Sequence, residues 1–301
     1  MERANECSFG KKKMGKITNR KGLPEQLVRA VEREYTYQPK RYSITSLLDT
    51  HRILQLKRRY HEELSQDVSD MIWMIFGSGI HKAIEDAGVG QGQHAEKRLE
   101  YQFGDYTLSG IVDFIDEHNE VILDWKTTSI WTYIYKSNHD KWLKQLQLSA
   151  LLWFKNTGQW IQRGQIGALL KDYKKKPFPE DNYPDSELQI IEFDLGSPQD
   201  IEQWVIDTFN DIALYEAFDD HELPLCTPEE RWNTGDKYAV IEKGKKRAAR
   251  VYDNEEDANR HVSQAFTDGI KMEIDYRPGE DKRCKEYCPV RAFCTYGKKY
   301  E

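Results

Sequence analysis

The sequence predicts an α/β chain with a small C-terminal module appended, on three observations. Stretches of helical periodicity alternate with short β-rich runs as far as about residue 222. After Leu223-Pro224 the pattern changes to short hairpins and one short helix, and the chain then closes on a cysteine-containing tail. A length of 301 residues suits about two domains. The expected division is an N-terminal arm and helix over 1–35, a core over 36–222 and a module over 223–301.

Residues 1–22 are polar and rich in lysine and glycine, which predicts a loose arm. Leu27, Val28 and Val31 share one face of a helix running from Pro24 to Tyr35. Ser43 to Ser46 offer several N-cap residues before a helical stretch reaching about Tyr60. A second helix, about 67–87, carries Val68, Met71, Ile72, Ile75, Ile80 and Ile84 on its apolar side and includes Phe76-Gly-Ser-Gly-Ile-His81. Strands follow at about 96–103, 106–114 and 120–126. A strong helix over 139–156 and strands at 165–170 and 188–193 come next. Ser197-Pro198 then opens a helix to about Phe218, since proline fits the first helical turn. In the module, 238–242 and 248–252 form a hairpin turning at Lys243-Gly244, followed by a helix over 254–264 and a strand around 272–276.

Hydrophobic content of 39% with 32% charged residues is that of a soluble globular protein. No window approaches the roughly 18 apolar residues a membrane span needs. The N-terminus lacks the apolar core of a signal peptide, so a cytoplasmic location is expected. In that reducing compartment, clustered cysteines serve metals or redox chemistry more often than disulfides. A net charge of −7 does not advertise a nucleic-acid binder. Four basic clusters, at 11–13, 57–59, 174–176 and 243–247, are each a solvated face alone, and a phosphate-tracking groove if the fold gathers them.

The chemistry concentrates in Leu108-Ser-Gly-Ile-Val-Asp113 and Asp124-Trp-Lys126-Thr127-Thr128, two strands joined by the polar turn 116–120. Side chains alternate along a strand, so Asp124 and Lys126 point one way and Trp125 the other. A carboxylate and an ammonium then sit at the edge of a core, where charges persist only when paired or holding a metal. A hairpin salt bridge explains them equally well unless other residues join in. Four features do. His81 stands four residues before Glu85 on one helix face, with Gly77 and Gly79 permitting close backbone approach. Gly110 relieves crowding near Asp113. Thr127 and Thr128 bring hydroxyls, and Gln145 interrupts an apolar helix surface.

Together these residues suit hydrolysis at phosphorus. Asp113 and Asp124 supply hard oxygens for Mg²⁺ or Mn²⁺, and His81 a nitrogen better suited to Mn²⁺. The Trp125 carbonyl could add another oxygen. Lys126 would face the scissile phosphate and the attacking water.

In their order, Gly77-Ser-Gly-Ile-His81-x-x-x-Glu85, Ser109-Gly-Ile-Val-Asp113, Asp124-Trp-Lys126-Thr and Gln145-Leu-Gln-Leu-Ser149 resemble the PD-(D/E)XK nucleases. More narrowly they resemble the RecB-like exonuclease branch, which includes phage recombination and CRISPR-associated enzymes. The resemblance covers about residues 40–215. It implies a restriction-endonuclease-like core, a central mixed sheet flanked by helices, and a Mg²⁺- or Mn²⁺-dependent DNA exonuclease of phage or prophage recombination and repair. It assigns His81, Asp113 and Asp124 to the metal, Lys126 and Gln145 to catalysis, and Glu85 to a supporting position. DNA is the implied partner, with a single-strand annealing protein or helicase beside it, in the bacterial host cytoplasm if the chain is phage-encoded. The alternatives are a non-cutting DNA-binding accessory protein and a structure-specific endonuclease of the same fold. The family tyrosine four residues after the glutamine is Ser149 here, which weakens a DNA contact or shifts it to Trp142 or Trp153.

Cys284, Cys288 and Cys294 form C-x3-C-x5-C, and three thiols cannot all pair with one another. Cys226 is the natural fourth ligand, with Cys7 the alternative. The resemblance implies a structural [4Fe–4S] cluster closing the module onto the core. In such relatives the distant cysteine usually precedes the histidine motif, and near Thr50-His-Arg52 this chain has none. A four-cysteine zinc site is the alternative, and unligated cysteines the plainer reading. The basic turn 243–250 is a solvated turn or a DNA-contacting wing, and Trp232 and Tyr238 near it pack or stack on bases.

Overall fold

The computed structural model describes residues 15–32, 37–175 and 182–300. The chain divides into two units, 1–218 and 219–301, so the boundary falls four residues before the expected one at 222. The described part of the N-terminal segment belongs to the first unit.

That segment is more ordered than its polarity suggests. Strand β1 (Lys16–Thr18) precedes helix α1 (Glu25–Val31), whose Val31 joins a small buried cluster with Val68 and Met71. Strand β2 (Arg41–Ser43) leads into helices α2 (Ile44–Leu47) and α3 (His51–Arg59), capped by the Ser43 and Thr50 hydroxyls. The expected single helix breaks here because each of those hydroxyls opens a new N-terminus. Strand β3 (Ser65–Asp67) pairs in parallel with β1, and helix α4 (Ile72–Glu85) follows.

Strands β4 (Gln93–Phe103), β5 (Tyr106–Asp116) and β6 (Val121–Thr128) come next, then a short helix α5 (Ile130–Ile134) and the long helix α6 (His139–Thr157). Strands β7 (Arg163–Leu170) and β8 (Leu188–Asp194) and helix α7 (Pro198–Glu216) complete the unit. The main sheet is mixed. Its order is β2-β5-β6-β7-β8, with β4 also paired to β5; β2–β5 and β6–β7 are parallel, and the other pairs are antiparallel. Leu146, Leu148, Leu151 and Leu152 of α6 are fully buried in one cluster with Ile115, Ile122 and Ile166 of the sheet and Ile212 of α7. This is the mixed sheet with flanking helices that the resemblance implies.

Two features of register matter for the site. The β4–β5 ladder runs from Gln93 opposite Asp116 to Phe103 opposite Tyr106, and only Glu96 and Asp113, which face each other in that register, are left unbridged. Glu96 has φ +48°, a left-handed backbone that breaks the ladder there. The β5–β6 ladder covers only 114–116 with 121–123, so it stops just before Asp113 and Asp124 would face each other. Glu96, Asp113 and Asp124 therefore occupy one row across three neighbouring strands.

The second unit pairs β9 (Lys237–Glu242) with β10 (Arg250–Tyr252) and β11 (Met272–Arg277) in the order β10-β9-β11, with helix α8 (Glu255–Thr267) against them. Buried Asp281 ties its tail together, accepting from Asn233 at 2.7 Å, Tyr296 at 2.6 Å and Tyr300 at 2.9 Å and pairing with Arg231 at 3.2 Å. Among the described residues no helix is long and apolar enough to cross a membrane.

Candidate active site

Helix α4 brings His81 onto the row of acids. Its Nε2 lies 3.0 Å from the Trp125 carbonyl, which can only accept, so Nε2 carries the hydrogen. Nδ1 faces the acids, 3.4 Å from Asp113 Oδ2 and 3.9 Å from Glu96 Oε1, and is the nitrogen that offers a lone pair to a cation whenever the ring is neutral. The Trp125 carbonyl, a possible further metal oxygen from sequence, instead fixes this tautomer. The Trp125 amide donates to Asp113 Oδ2 at 2.9 Å, filling the gap where the β5–β6 ladder ends. One residue of backbone thus holds both the histidine and the aspartate.

Asp124 and Lys126 share a face, as strand alternation predicts, and form an ion pair. Gln145 of α6 donates to the other oxygen, Asp124 Oδ1, at 2.6 Å. Gln145 therefore reaches Lys126 through Asp124 rather than directly. Trp125 points the opposite way and lies over Gly167, its partner in the parallel β6–β7 register.

The electrostatics follow from burial. It pushes the Asp124 carboxyl up to about 6, against the opposing pull of Lys126, and neighbouring Asp113 adds to the rise. Burial also raises Asp113 and Glu96, with His81 pulling both down. Three carboxylates crowd a site supplied with one lysine and one histidine.

That imbalance, with the donor set, is what a divalent cation fits. Among the described residues His81, Glu96 and Asp113 form a group whose ligand atoms all lie within 4.8 Å of one another. One imidazole nitrogen and two carboxylate oxygens suit Mn²⁺, and the hard oxygens suit Mg²⁺. A cleft of about 200 Å³ opens onto His81, Glu96 and Asp113, with Glu85 and Val89 also in its wall.

Sequence reasoning missed Glu96, which sits among Lys97 and Arg98 and reads as a solvated strand face. The turn at Gly104-Asp105 held the signal, because it fixes the register that sets 96 against 113. Glu85 pairs with Lys82 at 3.0 Å and lines the cleft. Among the described residues, an added Cβ at Gly77 or Gly79 would meet nothing within 4 Å, so these glycines serve no close approach there; Gly110 does, with Ile44 Cδ1 at 2.4 Å from such an atom. Thr127 Oγ1 is buried with no hydrogen-bond partner among the described residues. Ser149, Trp142 and Trp153 all belong to the buried core, so neither tryptophan replaces the missing tyrosine as an outward ring.

In the second unit none of Cys226, Cys284, Cys288 and Cys294 is in a disulfide. Burial pushes the Cys284 thiol up to about 11, with repulsion from Cys288, Asp281, Cys226 and Cys294 adding, so the four sulfurs are neighbours. Cys7 lies outside the described residues. In the basic turn Lys245 pairs with Glu242, while Trp232 and Tyr238 have Tyr287 and Tyr276 as ring neighbours.

The family model described as the PD-(D/E)XK nuclease superfamily matches residues 1–295. No curated protein matches. Among solved structures, the chain is similar to SSO0001, at 16% identity over 64% of this chain and 83% of that one, TM-score 0.41. It is also similar to a phage-related exonuclease from Haemophilus somnus 129PT, at 15% identity over 48% of this chain and 68% of that one, TM-score 0.31.

Proposed function

The chain belongs to the PD-(D/E)XK nuclease superfamily, and from that premise we propose a Mg²⁺- or Mn²⁺-dependent DNA exonuclease of the RecB-like branch, serving phage or prophage recombination or repair. The observation that carries this reading is the gathering of His81, Glu96 and Asp113 within 4.8 Å, beside the Asp124–Lys126 ion pair. His81 Nδ1, Glu96 and Asp113 would hold the ion, with Asp124 in the same row of strands. When bound, a divalent ion supplies positive charge to polarise the phosphodiester and to acidify a water. Trp125 orients His81 and Asp113 through its backbone. Asp124 positions the Lys126 ammonium, which neutralises charge developing on the phosphate. Gln145 fixes Asp124. Ser149, the departure that favours a non-cutting accessory protein, is buried in the core, while the row of acids and Lys126 that cutting needs are all present.

The test uses end-labelled linear and closed circular DNA with Mn²⁺ or Mg²⁺, beside Asp113→Ala, Asp124→Ala and Lys126→Ala. Wild type should degrade linear DNA only, and each substitution should lower the rate at least a hundredfold. Cutting of closed circles would point to the endonuclease reading. Unchanged activity in the three variants would remove the mechanism.

For the tail, we infer a structural [4Fe–4S] cluster held by Cys226, Cys284, Cys288 and Cys294 ahead of zinc, supported by the mutual proximity of the four thiols and by the resemblance. Brown protein absorbing near ~400 nm is the expected result. Colourless protein with one zinc per chain would overturn it. A single-strand annealing protein or helicase as partner rests on the resemblance alone.

A further inference from the structure

We propose that two exposed ring pairs, Trp73 with Phe76 and Trp131 with Tyr135, form with Lys171 a base-stacking platform that binds single-stranded DNA and feeds it to the site. The inference rests on the nuclease reading and narrows its substrate to a single strand.

Helix α4 is apolar, yet none of its residues is buried. Trp73 and Phe76 are 64% and 48% exposed and meet edge to face, with ring centroids 6.1 Å apart. His81 lies eight residues further along the same helix, roughly 12 Å at 1.5 Å per residue. That is the reach of about four nucleotides at ~3.4 Å per step of one strand. A second exposed pair follows the strand that carries Asp124 and Lys126. Trp131 and Tyr135 of α5 stack at 5.9 Å and 18°, and are 56% and 70% exposed.

Lys171 touches the first pair and is bonded to the backbone that leads into the second. The Lys171 ammonium lies 3.8 Å from the centre of the Trp73 ring, and its amide donates to the Thr128 carbonyl at 3.0 Å. The next residue, Asp172, accepts from the Ser129 hydroxyl at 2.7 Å and from the Ile130 amide at 2.6 Å, fixing the start of α5. Asp172 is thus engaged by the helix end, while exposed Lys174 and Lys175 extend the basic run. Flat rings offered to water beside ammonium groups match a strand that presents bases and phosphates together. A duplex hides its base faces and could use only the lysines. A protein partner would be served by the rings but not by the lysine run.

The experiment uses the full chain in EDTA, with three probes: a dT oligonucleotide, an abasic sugar–phosphate chain of equal length, and a blunt duplex. Wild type should bind the dT probe at least about tenfold more tightly than the abasic chain. Trp73→Ala and Trp131→Ala should each weaken dT binding by about 5- to 150-fold, leaving the abasic chain unaffected. Trp73→Phe and Trp131→Phe should stay within about twofold, since the ring is kept. Equal binding of dT and abasic probes by wild type overturns the platform, even if an alanine variant fails to fold. So does loss of self-association in Trp73→Ala with dT affinity unchanged. Metal-dependent cleavage by wild type is read in parallel: cleavage without base-dependent binding removes the platform alone, and base-dependent binding without cleavage removes the nuclease reading alone.

Discussion

Gly167 leaves just enough room for Trp125: a Cβ on the glycine would sit 2.3 Å from the tryptophan ring. The two are partners in the parallel β6–β7 register, so the ring lies flat across the neighbouring strand. A ring pushed off Gly167 strains the Trp125 backbone, and that backbone holds His81 and Asp113. Gly167→Ala should therefore act at a distance. We expect a loss of about 1–3 kcal/mol in stability from overpacking, and a fall of about tenfold or more in nuclease rate. Thermal melting and cleavage of linear DNA check the two effects. Wild-type cleavage in a destabilised variant would separate ring packing from the site.

Glu96→Gln keeps the size and removes one of three grouped ligands. Mn²⁺ binding, measured by calorimetry, should weaken by about 10–100-fold, the size of effect seen when a metal site loses a supporting group. Raising Mn²⁺ should restore part of the cleavage rate. A titration identical to wild type would remove Glu96 from the ion's ligands.

Gln145→Ala takes away the 2.6 Å bond to Asp124 Oδ1. A buried carboxylate left short of a donor costs about 1–3 kcal/mol, so Tm should fall. Cleavage should fall about tenfold, less than with Lys126→Ala, because the Lys126–Asp124 pair survives. Gln145→Ala matching Lys126→Ala in rate would mean that the glutamine itself meets the substrate.

Asp281 gives the second unit an acid limit. Burial disfavours its charge, but donors from Asn233, Tyr296, Tyr300 and Arg231 outweigh this and hold the carboxyl well below the usual range. A carboxylate depressed on folding adds stability above its unfolded pKa of about 3.9, and that stability is lost as pH falls through the folded value. Melting of the intact chain should show the second unit weakening below about pH 4. Asp281→Asn should flatten that acid limb and lower stability at neutral pH by about 3 kcal/mol through the broken pair with Arg231. An unchanged acid limb in Asp281→Asn would assign it to other carboxylates.

The sequence made the hairpin legible because strand alternation is strict. Val121 to Leu123 demanded burial, so Asp124 and Lys126 had to share a face at its edge, and they form the ion pair. The long helices α6 and α7 were legible for the same reason, through their apolar stripes. Short strands were not: β1, β2 and β3 have three residues each, too few for any period to appear. Glu96 was hidden because its role depends on one left-handed residue and on pairing with a strand ten residues away. The burial of Ser149, Trp142 and Trp153 was equally hidden, since an apolar helix gives no sign of which rings a neighbouring helix covers.

The grip of Trp125 on His81 and Asp113 runs through peptide atoms, and so lies beyond the reach of ordinary mutagenesis. Every amino acid except proline would supply the same amide and carbonyl. A survey of all substitutions at 125 would record only how well each side chain lies over Gly167, and would score the position as a packing site. Replacing the peptide nitrogen of residue 125 by an ester oxygen deletes the donor to Asp113 and leaves the ring in place. Chemical synthesis, rather than genetics, is the means of weighing that bond.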